Sequence, residues 1–156
     1  MRKIELVNNR GVALVDADDF EKLSLHRWYL HPKGCACRHD HKRMVLMHRH
    51  ILGINDPKIK VDHANHNPLD NQKNNLRPCT QSQNRMNSVK PINNISGYKG
   101  VCLNGHTIRK RPWQAQIKAL GKIIYLGYFA TAKEAARAYN HAAQEYFGEF
   151  ACLNKI

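Results

Sequence analysis

The segment that decides the fold lies between residues 47 and 89; it reads MHRHILG at 47–53 and VDHANHNPLDNQKNNLRPCTQSQNRMNSV at 61–89. A short apolar run ends in the adjacent pair Asp62 and His63, and an Asn-rich polar loop follows. The loop ends at Asn75, and Asn84 comes nine residues later. The apolar run and the residues after the loop predict two short strands, and the polar segment beyond them predicts a helix.

Turn and capping residues set the predicted borders of these elements. Gly53 ends the first helix, and Thr80 is a suitable N-cap for the second because its hydroxyl can accept a hydrogen bond from the first turn. We therefore expect a helix, two strands and a second helix at 47–54, 59–63, about 75–79 and 81–89.

The side chains of this segment suit phosphodiester hydrolysis, which needs a base for the attacking water and positive charge at the phosphate. The Asp62 carboxylate and the Asn84 amide oxygen are the kind of ligand that Mg²⁺ prefers. The imidazole of His63, with an ordinary pKa of about 6.5, suits a base near neutral pH, and Asn75 could hold it in the right tautomer. Adjacent strand residues point to opposite faces, so a bulge or a strand end is needed before Asp62 and His63 can serve one phosphate.

The ordered set of residues resembles the HNH endonucleases, in particular the homing type of phages and introns with a ββα-metal site. The resemblance spans roughly residues 44–90, and its landmarks are His48-Arg49, Val61-Asp62-His63, Leu69-Asp70-Asn71, Asn75-Leu76-Arg77 and the helix bearing Asn84.

The resemblance implies a role for each matching position. Asp62 would bind a divalent metal ion, His63 would be the general base, and Asn75 would position that base. Asn84 would be the second metal ligand, with Asn87, one helical turn later, as the alternative. The implied metal ion is Mg²⁺, with Mn²⁺ as the alternative.

Plainer interpretations exist for several of these residues. Asn is a common turn former, so the Asn-rich loop could be only a loop, and His66 could be a solvent-exposed loop residue. His48 could bind DNA or could serve packing and a structural hydrogen bond. Arg49 and Arg77 could neutralise phosphate, or could pair with Asp70 or Asp56.

Composition points to a polyanionic partner. The chain has 156 residues, enough for one domain or two small ones, and a formal net charge of +13. Nucleic acid and an anionic membrane surface are both compatible with that charge. No acidic residue lies between Asp70 and Glu134, whereas ordinary solvated surfaces mix both signs. This interval therefore predicts a surface that follows a phosphate backbone.

Other sequence signals concern location and the thiols. The chain shows no apolar segment long enough to span a membrane and no apolar signal core near residue 1, so we expect a cytosolic protein of phage or bacterial host. The five cysteines are odd in number and lack CxxC spacing, which predicts reduced packing thiols.

Residues 1–46 predict a β-rich lead-in. Alternating segments at 4–7 and 12–15 flank a turn, and 16–26 predicts a short helix with acidic residues in its first turn. We interpret this region as scaffold, although His39 and His41 lie in a basic turn that could touch DNA.

A Pro-, Asn- and Gly-containing linker, 91–97, separates the nuclease domain, 1–90, from a second domain, 98–156. Apolar and polar residues alternate over 113–119, which predicts a strand. Thr131 and Glu134 form a capping-box pattern at the start of a helix with an apolar stripe. The stripe comprises Ala135, Ala138, Tyr139, Ala142 and Tyr146.

The second domain resembles the ethylene-response-factor (Apetala-type) DNA-binding domain. Its landmarks are the YKGV motif at 98–101, Trp113–Ile117, the YLGYF motif at 125–129, and Leu153-Asn154. The resemblance implies that a three-stranded sheet, rather than the helix, enters the major groove. The positions that would face DNA are Cys102, Asn104, Gln116, Lys118, Ile123 and Tyr125. Only Lys118 keeps the charge that plant members usually have at these places, so their base preference does not transfer.

The sequence thus predicts an α+β protein: a ββα-metal nuclease core after a β-rich lead-in, then a three-stranded antiparallel sheet packed on one helix. The leading hypothesis is a metal-dependent homing-type DNA endonuclease that binds double-stranded DNA as a monomer or weak dimer, without a small-molecule cofactor. A catalytically silent, sequence-specific DNA-binding regulator and an RNA-binding structural protein are the alternatives. The remaining candidate DNA contacts are Arg49, Arg77, Arg85, Arg109, Lys110 and Arg111.

Overall fold

The computed structural model describes residues 1–41, 43–104 and 110–156. Over these residues the chain is a mixed α/β protein with four α-helices and several small antiparallel sheets. It divides into two compact units, Met1–Asn84 and Arg85–Ile156. The linker at 91–97 therefore lies inside the second compact unit, and the functional boundary that the sequence suggested there stays a prediction. None of the helices in the described ranges combines the length and apolar character that a membrane span requires.

The first unit opens with the predicted β-rich lead-in. Strand β1 (Arg2–Glu5) pairs antiparallel with β2 (Val12–Val15), and helix α1 (Ala17–Ser24) follows. The first strand starts and ends two residues earlier than the alternation suggested, because Val7–Asn9 form a 3-10 turn in which Asn8 has a φ of 64°. Such a left-handed residue breaks an extended strand.

A second sheet in this unit has the order β3 (Tyr29–Leu30), β4 (Ala36–Asp40), β5 (Arg43–Leu46), and leads directly into helix α2 (Met47–Ile51). Trp28 is the largest fully buried side chain of the unit, and its indole Nε1 donates to the Leu23 carbonyl over 2.9 Å. The lead-in and α2 share one core, formed by Ile4, Leu6, Ala13, Val15, Leu23, Trp28, Ala36 and Met47.

The predicted strand–loop–strand–helix segment is present. Strand β6 (Lys60–His63) pairs antiparallel with β7 (Leu76–Cys79), and helix α3 (Gln81–Met86) follows. Thr80 caps that helix as expected: its Oγ1 accepts from the Gln83 backbone N–H over 3.2 Å, and the Gln83 side chain accepts from the Thr80 N–H over 2.9 Å. The helix ends at Met86, short of the predicted residue 89.

The second unit is the predicted sheet packed on one helix. Its strand order is β10 (Lys122–Phe129), β9 (Trp113–Ala119), β8 (Val101–Leu103), all antiparallel. Helix α4 (Ala132–Phe147) packs against the sheet and starts with the predicted capping box of Thr131 and Glu134. The buried helix residues are Ala135, Ala136, Tyr139, Ala142, Ala143 and Phe147.

Tyr146 departs from the predicted helix stripe, since 39% of its surface is exposed. Phe147 is the aromatic residue that packs into this core, and it lies eight residues after Tyr139 on the same face. Tyr146 and Phe147 are adjacent, and either could extend the apolar stripe of Ala residues. The stripe alone therefore could not predict which of the two aromatic side chains is buried.

Candidate functional site

Asp62 lies in the β6–β7 hairpin, directly across from Arg77. Its carboxylate is buried, with 6% of the residue exposed, and Oδ2 accepts a short, charge-assisted hydrogen bond from Arg77 Nη2. The sequence had offered Asp70 and Asp56 as partners for Arg77, and the carboxylate in contact is that of Asp62. The Arg77 guanidinium thus balances the charge of this buried carboxylate.

His63 is the last residue of β6 and lies across from Leu76 in the regular register of the hairpin. Its imidazole meets the His48 ring edge to face, with centroids 5.2 Å apart and ring planes at 89°. Burial lowers the pKa of His63, and the side chain of Asn71 and the charges of Asp62 and Asp70 oppose that shift. The net effect favours a neutral imidazole at neutral pH, which is the form that accepts a proton.

His48 is 8% exposed and packs in α2 behind His63. Burial lowers the pKa of His48 to about 4, and the charges of His63 and Arg49 act in the same direction. His48 is therefore neutral at neutral pH. Of the interpretations that the sequence left open for His48, packing within the unit describes this environment best.

Asn75 is buried and braces the loop that follows His63. Its side-chain Oδ1 accepts from the Asn65 backbone N–H over 3.0 Å, and its Nδ2 donates to the Asp70 carbonyl over 2.8 Å. Its own carbonyl accepts from the Ala64 N–H over 3.0 Å. These bonds fix the backbone on both sides of the loop, so Asn75 acts on the loop geometry next to His63.

Asn71 received no chemical role from the sequence. It is fully buried, at 0% exposure, its Nδ2 donates to the Leu69 carbonyl over 3.1 Å, and its side chain raises the pKa of His63. The resemblance assigned the role of imidazole partner to Asn75, and that role stays a prediction.

The lead-in anchors the loop that carries Asn71. The Leu14 N–H donates to the Leu69 carbonyl and the Asn71 N–H donates to the Leu14 carbonyl, each over 2.8 Å. Further along the loop, the Lys73 N–H donates to Asp16 Oδ2 over 2.8 Å and the Lys73 ammonium pairs with Asp19 over 2.8 Å. The lead-in thus serves as scaffold for the loop.

The Asp62 carboxylate is the kind of donor that a divalent cation of the Mg²⁺ type takes. Within the described ranges no group of three or more His, Cys, Asp or Glu side chains forms a metal cage. Mg²⁺ does not need one, because it commonly takes one or two protein oxygens and completes its shell with water and substrate phosphate. The buried Asp62 carboxylate supplies one such oxygen. Asn84, half-buried in α3, and Asn87, buried just beyond it, carry the amide oxygens.

Two of the candidate DNA-contact residues, Arg49 in the first unit and Arg85 at the start of the second, have different surroundings. The Arg49 guanidinium donates to the carbonyls of Ile59 and Asp56 over 2.6 and 2.7 Å, which braces the segment leading into β6. Arg85 is exposed. Arg49 also lines a groove of about 1160 Å³, together with the basic side chains Arg38, His41, Arg43 and His50.

The remaining candidates lie in the second unit. Lys118, Tyr125, Lys110 and Arg111 are exposed, and Gln116 is partly exposed. Asn104 is partly buried, and its amide donates to the Tyr128 hydroxyl over 3.2 Å. Arg109 lies outside the described residues.

The comparisons with known proteins support both parts of the resemblance. The chain is 35% identical over 149 residues to "Uncharacterized HNH endonuclease L560" of Acanthamoeba polyphaga mimivirus, a match that covers 92% of this chain and 75% of that protein. It is also 42% identical over 66 residues to "AP2-like ethylene-responsive transcription factor TOE2" of Arabidopsis thaliana, and 42% identical over 64 residues to "APETALA2-like protein 2" of Oryza sativa subsp. indica. Those two matches cover 42% and 41% of this chain and only 13% and 14% of the plant proteins. The composite resemblance that the sequence predicted is confirmed; no family model matches the chain, and no solved structure matches it significantly.

Proposed function

The chain belongs to the HNH endonuclease family, and from that premise we propose that it is a metal-dependent DNA endonuclease of the homing or phage mobile type. The observation that carries the proposal is the setting of His63: a half-buried, neutral imidazole in edge-to-face contact with buried His48, adjacent in β6 to the buried carboxylate of Asp62. A general base and a cation-attracting carboxylate are what hydrolysis of a phosphodiester requires.

In the proposed mechanism His63 removes a proton from a water molecule as the water oxygen attacks phosphorus. The bond from phosphorus to the 3′ oxygen breaks, and that oxygen takes a proton from solvent water, which leaves a 5′ phosphate and a 3′ hydroxyl. Asn71 orients the imidazole, and Asn75 fixes the loop that carries Asn71. A bound divalent cation, held by Asp62 and by Asn84 or Asn87, would supply positive charge for the phosphate and the leaving oxygen; Mg²⁺ is the proposed ion and Mn²⁺ the alternative.

Double-stranded DNA is the proposed partner. Two observations support this proposal. Relatives of one part of the chain are named transcription factors. The segment without acidic residues begins after Asp70, in the loop between β6 and β7, and runs through most of the second unit. The proposed DNA contacts in the first unit are Arg49 and Arg77. The proposed contacts in the second unit are Arg85, Asn104, Arg109, Lys110, Arg111, Gln116, Lys118 and Tyr125. A monomer or weak dimer in the cytosol of a phage host is the expected state.

The direct test is cleavage of host or phage DNA with Mg²⁺ or Mn²⁺. We expect wild-type protein to produce nicks or breaks with 5′ phosphate ends, and His63→Ala to lose at least about 100-fold in rate because general-base catalysis contributes that much. His141→Ala, at an exposed position on α4, is the matched control and should cut like wild type. Equal cutting by wild type and His63→Ala, or cutting that a chelator leaves unchanged, would refute the proposal.

A silent DNA-binding regulator is the second candidate function, and the Arg77–Asp62 ion pair favours it, because the arginine already neutralises the carboxylate. If the protein is such a regulator, its DNA binding should be independent of divalent metal, and no nicks should appear over long incubation. Either candidate expects affinity to fall steeply with salt, since roughly 5–8 phosphate contacts give a log–log slope of about −5 to −7.

A further inference from the structure

The outward face of the sheet in the second unit has an unusual composition. The strand register places Lys118 beside Ile123, Gln116 beside Tyr125, and Gln114 beside both Tyr128 and Cys102. The opposite face is the one packed on α4, with Ala115, Ile117 and Ala119 buried. The outward face therefore combines amide, aromatic and aliphatic side chains, and Lys118 is its one cation among the described residues.

This face is open rather than packed. Ile123 is 53% exposed and Tyr125 is 68% exposed. Exposed large apolar side chains grouped on one surface mark an interaction site. The surrounding chain supplies positive charge without acidic residues, through Lys110, Arg111 and Lys118. Charge complementarity therefore selects a polyanion as the occupant, and antiparallel strands are among the elements that enter the major groove of duplex DNA.

The side-chain types on the face discriminate between base pairs. A glutamine amide can form a bidentate contact with adenine, in which its NH₂ group donates to N7 and its oxygen accepts from N6. An aliphatic side chain packs on the thymine methyl group. Guanine is usually read by arginine, or by lysine, at O6 and N7. In the described part of the face, Lys118 is the single residue suited to that contact, and it serves a phosphate equally well.

We infer that the outward sheet face reads A·T base pairs in the major groove, with Gln116 on adenine and Ile123 on a thymine methyl group. Gln114 lies on the same outward face and extends this reading, and Tyr125 lies directly across from Gln116 in the strand register. The inference deepens the proposed function, because it rests on DNA binding by the second unit and names the base composition of the site.

The inference can be tested apart from cleavage by using the full-length His63→Ala chain in a binding selection from a randomised duplex library. We expect the selected sites to be enriched at least several-fold in a run of A·T pairs. Selected sites dominated by G·C pairs, or a library recovered without enrichment, would overturn the inference. Neither result depends on whether the protein cuts DNA. The cleavage assay tests the nuclease proposal separately.

Substitution at one position gives a sharper result. Gln116→Ala should reduce affinity for the selected site by about 5- to 100-fold, the discrimination typical of a bidentate base contact. Gln116→Arg should move the preference from adenine to guanine at one position of the site. Gln144→Ala, an exposed glutamine on α4, is the matched control and should leave affinity unchanged. An unchanged site preference in Gln116→Arg, with folding verified by circular dichroism, would exclude Gln116 as a base-reading residue.

Discussion

The rings of His48 and His63 meet edge to face, with 5.2 Å between their centroids. His48 is buried and His63 is half-buried, and burial is the largest cause of the lowered pKa of each. A protonated His48 would place a positive charge beside His63 and beside the neighbouring Arg49. The pair therefore favours the neutral state of both rings at neutral pH, which is the state that a general base at His63 needs.

The first prediction concerns stability in mild acid. The pKa of His48 falls from 6.5 to about 4 on folding, so the unfolded chain binds the proton more tightly between those values. The stability contributed by neutral His48 is complete above about pH 6.5 and is lost as pH falls toward 4. By pH 4.5 the loss from this group should be roughly 2–3 kcal/mol.

Urea unfolding at pH 7 and pH 4.5 measures that loss. His48→Phe keeps an aromatic ring against His63 but has no proton to bind, so its stability should fall less between the two pH values than that of wild type. His141→Phe, exposed on α4, should retain the wild-type pH dependence. If His48→Phe and wild type lose stability in parallel, His48 does not titrate in the way its burial implies.

The second prediction concerns the loop after β6. Asn75→Ala removes the acceptor of the Asn65 N–H and the donor to the Asp70 carbonyl. Because these groups are partly or fully buried, the variant should lose about 1–3 kcal/mol in the free energy of unfolding and most of its nicking rate. Asn74→Ala, at the exposed neighbouring position, should change stability by less than about 0.5 kcal/mol. Equal effects of the two substitutions on unfolding and nicking would show that Asn75 does not brace the loop.

The sequence predicted the elements whose formation depends on residues close together in the chain. The alternation over 113–119 specified β9, and the hydroxyl of Thr131 and carboxylate of Glu134 specified the start of α4, because capping involves residues only three apart. Thr80 capped α3 for the same reason. The strand ends that border turns were harder to predict. The 3-10 turn after β1 depends on the left-handed backbone conformation of Asn8, and the pattern of apolar residues does not reveal that conformation.

Contacts between distant parts of the chain were not predictable in detail. The motif supplied Asp62 and His63, but the contact of His48 with His63 joins α2 to β6 across the core of the first unit. The hydrogen bond of Lys73 with Asp16 spans 57 positions. Such contacts depend on how the lead-in packs under the loop, and sequence spacing contains no measure of that packing.

The third prediction is a double-mutant cycle on Asp62 and Arg77. Arg77→Met leaves the buried Asp62 carboxylate without its ion-pair partner, which should cost about 2–4 kcal/mol, and Asp62→Asn in that background should recover part of the loss. The coupling energy from urea unfolding should therefore exceed about 1 kcal/mol. The control cycle uses Arg38 and Asp40, where the carboxylate side chain is 48% exposed and the coupling should stay within about 1 kcal/mol. Similar coupling in both cycles would mean that burial does not strengthen the Asp62 pair.

The fourth prediction concerns Gly100, which precedes β8 and has a φ of 74°. A Cβ at this position would overlap the ring of buried Tyr139 and lie 2.7 Å from the Gln116 carbonyl oxygen. The Gly100 carbonyl also accepts from the Gln116 N–H over 2.8 Å, so the backbone cannot move away without breaking the sheet contact. Gly100→Ala should therefore lower the stability of the second unit by about 3 kcal/mol or more, combining left-handed strain with overpacking.

Gly121→Ala separates those two causes. Gly121 has nearly the same φ, 75°, but a Cβ there would meet nothing within 4 Å. It should cost only the backbone strain of about 1 kcal/mol. Thermal unfolding of the full chain, followed by near-ultraviolet circular dichroism of Trp113 and the tyrosines, compares the two variants in one experiment. If Gly121→Ala destabilises the chain as much as Gly100→Ala does, the close approach of Tyr139 is not what requires glycine at position 100.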